Sequence, residues 1–193
     1  MDTTIDRDRI VTAADELFYG RGIQSVGMDE VRAAAGLSLK RVYAAFSSKE
    51  QLVLAVLERR RGIWDDGIAA ASAGATTPRE RLLAVYDFLD AWFREDDFRG
   101  CGFINSFGEL GAVMPSVAAV VDEQKSSFHG YLADLVDELG APRRLASQLA
   151  LLAEGAQTTA AISHRPEVAA DARAAAESLI DLALVDSRSP TRA

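Results

Sequence analysis

A chain of 193 residues, with 49% hydrophobic and 26% charged side chains, is long enough for one large domain or two small ones. It can bury a core without disulfide or metal support. Lys and Arg number 21 against 29 Asp and Glu, and the formal charge of -8 excludes a broad cationic surface that would coat nucleic acid indiscriminately. The one cysteine, Cys101, excludes an intramolecular disulfide. With no secretory leader pattern and no apolar run near the roughly 20 residues of a membrane span, a cytoplasmic protein with no membrane partner is expected.

Apolar residues recur three and four apart, and strand-type alternation is absent, so the fold class predicted is all-α. The spacing predicts about nine helices, over 4–20, 28–35, 39–45, 48–70, 78–96, 103–113, 115–139, 142–163 and 166–185. After the first, Gly20 and Gly22 begin like a dinucleotide fingerprint, but Ser25 stands where the third glycine belongs. The next two are short. Met28 and Val31 open a helix ending in Ala33-Ala34-Ala35, Gly36 supplies a left-handed turn, and Ser38 caps the following helix with its hydroxyl. Two short helices around a glycine turn form a helix-turn-helix.

On the second of them Leu39, Val42 and Phe46 are expected to face inward, leaving Lys40, Arg41, Tyr43 and Ala44 on the remaining arc. Lysine and arginine contact guanine edges or phosphates in a major groove, tyrosine reaches a phosphate or a thymine methyl, and small alanines allow close approach. Ser38 opens a helix N-terminus that suits a phosphate. Lys49, in the first turn of the fourth helix, is unfavourable to the helix dipole, which a phosphate partner would explain. Residues 1–61 carry ten basic and nine acidic side chains, whereas 62–193 carry eleven and twenty. A small basic head on an acidic body is compatible with a specific DNA reader; incidental charges on a solvated helical hairpin are the alternative. Arg59-Arg60-Arg61 reads either as a lever near a hinge or as a solvated face.

Ser47 or Ser48 caps the fourth helix, in either of two registers, and Thr77-Pro78-Arg79-Glu80 is a capping box for the fifth. Gly100 and Gly102 fail as a dinucleotide motif because Asn105 replaces the third glycine. His129 and His164 lack metal-ligand spacing and read as surface or capping residues. No cofactor, metal or catalytic residue is predicted, and the chain is not read as an enzyme. Around the middle helices, aromatic and polar residues supply a candidate small-molecule pocket: Trp92, Phe103, Asn105, Phe107, Phe128, Tyr131, Glu154 and Gln157. Each aromatic taken singly fits core packing better than ligand contact. Stripes of small and leucine-sized residues on the last two helices suit either an intramolecular core or packing between two copies. The polar tail from Asp186 is expected to fray.

The residues Ile10, Ala13-Ala14, Leu17-Phe18, Gly22-Ile23, Met28-Asp29-Glu30-Val31, Ala34-Ala35-Gly36-Leu37-Ser38, Val42-Tyr43, Phe46, Ser48-Lys49-Glu50 and Leu52 together resemble the TetR family of transcriptional regulators. The resemblance covers about the first 60 residues. It implies a three-helix DNA-binding head, residues 1–61, with Leu39 to Ala45 as recognition helix and DNA contacts at Ser38, Lys40, Arg41, Tyr43, Ala44 and Lys49. It implies a helical effector-binding and dimerisation body, residues 62–193, whose last two helices pair between copies. Gly27, Lys40 and Ala44-Ala45 depart from the residues common in the family and shift the expected base contacts to Lys40 and Arg41. The expected function is a homodimeric repressor on a palindromic double-stranded operator, released by a small-molecule effector. A helical carrier or enzyme, or a protein-interaction module, would leave the head without a DNA role.

Overall fold

The computed structural model describes residues 3–188, of which 80% are helical, in nine helices with no strand among the described residues. α1 (Thr3–Arg21) buries Ile10, Ala14 and Phe18, one turn apart, and ends where Gly22 adopts φ +86° and donates its amide to the Phe18 carbonyl at 2.9 Å. α2 (Met28–Ala35) and α3 (Leu39–Ala45) pack on it. α4 (Lys49–Ser72) is capped by Ser48, whose Oγ accepts the Gln51 amide at 3.2 Å, so Ser48 is the register used.

α5 (Pro78–Phe93) starts at the predicted capping box: Thr77 Oγ1 accepts the Glu80 amide at 3.2 Å and Glu80 accepts the Thr77 amide at 3.0 Å. It stops at Phe93 instead of 96, because Glu95, Asp96 and Asp97 would place three carboxylates at the negative end of the helix dipole. α6 (Gly102–Leu110) ends earlier than the predicted 113, where the Val113 and Met114 amides turn back onto the Leu110 carbonyl. α7 (Pro115–Leu139), α8 (Arg144–Ser163) and α9 (Val168–Arg188) complete the chain. α9 continues to Arg188, past the predicted fraying point; the rest of the tail lies outside the described residues.

The helices form two compact units: one takes the residues through Ile63 together with Gly102–Gln124, the other takes Trp64–Cys101 and the residues from Lys125 onward. α6 and the start of α7 thus group with the head rather than with the body to which a boundary at 61 assigns them. Part of the cause is a carboxylate on α6, that of Glu109, which holds the backbone after α1. The first unit is built on fully buried Ile10, Ala14, Val31, Val42, Phe46 and Leu52. In the second, α5, α8 and α9 pack on one another through Leu82, Val85, Leu89, Leu145, Leu149 and Ile180. The alanines of α8 and α9, from Ala153 to Ala183, lie mostly inside this core, which resolves most of their stripe as intramolecular. Tyr86 is buried there and donates its hydroxyl to the Leu149 carbonyl at 2.8 Å; burial pushes its phenol well above the usual range.

Candidate nucleic-acid interface

The α2–turn–α3 geometry follows from a few residues. Gly36 sits at φ 64°, ψ 37°, its amide donating to Ala33 and that of Leu37 to Arg32, the paired bonds that close a helix on a left-handed residue. Arg9 of α1 donates to the Ala35 carbonyl at 2.7 Å and so fastens the end of α2. At the other end of α2, Gly27 offers no side-chain cap, but Glu30 accepts the Gly27 amide at 2.9 Å and pairs with Arg21 at 2.8 Å. These contacts hold the Glu30 carboxyl below its usual range, the amide bond being the larger cause. Ser38 caps α3 by accepting the Arg41 amide at 3.3 Å.

Four of the six predicted DNA-contact residues, Ser38, Lys40, Tyr43 and Ala44, share the exposed face of the α2–α3 unit. Lys40 and Tyr43 form no hydrogen bond or ion pair with any described residue, and Tyr43 is 46% exposed. Leu39 joins them on the outside at 39% exposure, contrary to its expected inward place. Leu37, just before the cap, is buried along with Val42, and these two hold the positions from which a helix start is stapled to a core. Nothing in the period-3.6 pattern marks that substitution of Leu37 for Leu39.

Arg41 and Lys49 are already engaged. The Arg41 guanidinium clasps the Asp6 carboxylate of α1 with both Nε, at 2.7 Å, and Nη2. Lys49 is turned inward: its Nζ donates to the Ile23 and Val26 carbonyls at 2.5 and 2.6 Å, with the Phe18 ring 5.7 Å away. Those carbonyls account for a lysine at this helix start without a phosphate. Desolvation lowers its pKa, opposed by Glu109 and Glu30. Arg59 and Arg60 pair with Asp15 at 3.6 and 2.5 Å, and Arg61 with Glu123 at 2.9 Å, so the triplet is not a free solvated face. Burial raises the Asp15 carboxyl despite both arginines.

The eight candidate pocket residues divide between the units. Phe103, Asn105 and Phe107 lie in the first, where Phe103 is buried, Phe107 is 53% exposed and Asn105 borders a cavity. Phe107 therefore points away from any enclosed site. Trp92, Phe128, Tyr131, Glu154 and Gln157 lie in the second. There Trp92 and Phe128 belong to a ring cluster centred on Trp64, with centroids 6.0 and 5.2 Å from it. Tyr131 packs half-buried against this core. Gln157 is buried and donates to the Ala153 carbonyl at 3.2 Å, and Glu154 pairs with Lys125 at 3.4 Å. Lys125 also lies 3.6 Å from the buried Cys101 sulfur, a cationic neighbour that the local sequence does not reveal. His164 ends α8 in a left-handed conformation, φ 55°, and His129 bonds Ser147 at 3.0 Å. Among the described residues no cluster of three or more His, Cys, Asp or Glu could hold a metal, and no helix is long and apolar enough to cross a membrane.

Residues 10–56 match the family described as bacterial regulatory proteins, tetR family. The HTH-type transcriptional activator FasR of Mycolicibacterium smegmatis is 36% identical over 131 residues, covering 67% of this chain and 58% of FasR. An uncharacterised HTH-type transcriptional regulator of Mycobacterium tuberculosis is 29% identical over 126 residues, 65% of this chain and 62% of that one. The chain thus spans less than two thirds of the length of these relatives. Over nearly its whole length it superposes on a TetR-family transcriptional regulator from Streptomyces coelicolor with a TM-score of 0.87 and 26% identity, covering 94% of this chain and 97% of that one. A glycine-turn helix pair inside the matched segment, on a chain whose described residues form nine helices with that likeness, places the protein in the TetR family of bacterial regulatory proteins.

Proposed function

We propose that the protein is a homodimeric, sequence-specific DNA-binding transcriptional regulator, a repressor that leaves a palindromic operator when a small molecule binds. The observation that carries the reading is the outward face of α3: Lys40 and Tyr43 stand exposed, with no partner among the described residues, on a helix whose entry is fixed by Gly36 and Ser38. Ser38 and Ala44 flank them, and these four residues are the proposed contacts with DNA. Arg41, through Asp6, and Lys49, through the Ile23 and Val26 carbonyls, brace the head. Residues 1–61 serve as the reader and 62–193 chiefly as the dimerisation and effector-responsive part.

Two heads must sit about 34–36 Å apart to read adjacent major grooves, which requires a dimer. Leu151 and Ile162 on α8 and Leu182 and Val185 on α9, exposed by 71, 76, 59 and 62%, supply apolar surface for it. FasR is named an activator, and the sign of regulation depends on where an operator lies relative to its promoter. Repression is the simpler outcome because it needs only an occupied site. Release follows if the effector favours a state whose heads are wrongly spaced, with a coupling of about 1–3 kcal/mol felt equally by both ligands.

Selection of bound duplexes from a random pool, then titration of the selected site at two salt concentrations, tests this. A palindromic site bound by a dimer, with affinity falling steeply as salt rises, is expected. Weak binding without an enriched sequence would overturn the proposal. A reporter with the site overlapping its promoter then reads the sign directly.

A further inference from the structure

We propose that the cavity bordered by α1, α4 and α6 in the first unit binds a small amphipathic anion, an apolar body carrying one carboxylate. The cavity measures about 410 Å³, within the range of small-molecule sites. Phe18, Ile23, Val53, Val56, Leu57 and Ile104 make most of its wall apolar. Arg60 is the cation on that wall. Its Nε is held by Asp15 at 2.5 Å and its guanidinium lies 3.6 Å over the Tyr19 ring, which fixes the plane. The two Nη groups donate to no described residue.

Asp15 is shared by Arg59 and Arg60, so two guanidinium groups face one carboxylate and the cluster keeps one positive charge. Arg60 also runs against Gly102, the first residue of α6, so closely that a Cβ there would lie 2.8 Å from its Cδ. The start of α6, the positive end of its helix dipole, thus lies beside the guanidinium. On the same cavity wall Glu109 is a carboxylate already taken by the Ile23 and Gln24 amides at 3.0 and 2.9 Å. It repels a second anion and directs the ligand's carboxylate towards Arg60. A planar guanidinium with free donors discriminates a carboxylate from a neutral group of equal shape. The assignment supplies a place and a ligand class for the effector; its regulatory consequence alone rests on the proposed function.

Calorimetric titration of the full chain, without DNA, with 4-phenylbutyrate and with the neutral 4-phenylbutyramide provides the test. The acid is expected to bind at least about tenfold more tightly than the amide. Arg60→Gln is expected to erase that difference while amide binding persists, and Val56→Phe, which extends a ring into the void, to abolish both with helical circular dichroism unchanged. Equal binding of acid and amide to the unaltered chain, binding insensitive to Val56→Phe, or no binding at millimolar ligand would each overturn the assignment. Should Arg60→Gln fail to fold, the acid–amide pair and Val56→Phe still decide. Failure here leaves operator selection untouched, and failure of operator selection leaves this binding measurement valid.

Discussion

Lys40 and Lys49 carry the same charge on neighbouring helices and are employed in opposite ways. Lys40 faces water with no partner among the described residues, so Lys40→Ala should leave stability within about 0.5 kcal/mol while lowering operator affinity about tenfold or more. Lys49 ties down two carbonyls of the α1–α2 connection, and Lys49→Met leaves both without their donor. That change should cost roughly 1.5–3 kcal/mol of folding stability, read by urea denaturation. A stable Lys49→Met protein with uniformly weak DNA binding would reverse this assignment in favour of a phosphate contact. Gly67 is a third residue with a sharp expectation. A Cβ there would lie 2.3 Å from the Phe88 ring, which is stacked on Trp92 at 5.9 Å and set edge-on to Trp64 at 5.3 Å. Held by both neighbours, the ring has little room to yield. Gly67→Ala should destabilise by about 1–3 kcal/mol, outweighing the roughly 1 kcal/mol that alanine gains over glycine in a helix. Thermal unfolding of the variant checks the sign.

At the scale of helices, starts and stops were legible wherever the signal was chemical and local. Thr77, Pro78 and Glu80 mark the start of α5, and Gly36 with Ser38 marks the turn of the reading head. Side-chain commitments across long stretches of chain were not. Arg41 is 35 residues from Asp6, and no spacing rule links them, so the ion pair that this arginine makes with α1 could not be read from the sequence. Phe103 and Phe128 were grouped by residue type although they belong to different units, because composition carries no information about which neighbour a ring will meet. The α5 cap also gives a pH dependence. Glu80 accepts from the Thr76 amide at 2.7 Å, the Thr76 hydroxyl at 3.0 Å and the Thr77 amide at 3.0 Å, which holds its carboxyl below the ordinary 4.5. A carboxyl depressed in the folded state contributes stability above its unfolded pKa and loses it as pH falls through the folded value. Unfolding midpoints followed down from neutrality should therefore drop below about pH 4.5, and Glu80→Gln, which cannot titrate, should show a shallower decline.

For the molecule as a whole, the exposed leucines and isoleucine of α8 and α9 are the surface on which the proposed dimer is tested. Leu151→Glu combined with Leu182→Glu places charge on surface that is 71 and 59% exposed, so the fold should survive. Sedimentation should then show a monomer in place of the dimer, with operator affinity lost although every proposed DNA contact remains; a persisting dimer would move the interface elsewhere.

The grip of Glu109 on the Ile23 and Gln24 amides, made across 86 and 85 residues of chain, also sets an order of events during synthesis. When the head first leaves the ribosome, Lys49 is already present to hold the carbonyls of the connection between its first two helices, but the carboxylate that holds the amides has not been made. At about 5–20 residues per second, that connection spends several seconds with water as the only partner for those amides. The nascent head is therefore assembled before it is locked, and a fragment ending near residue 61 stays permanently in that unlocked condition.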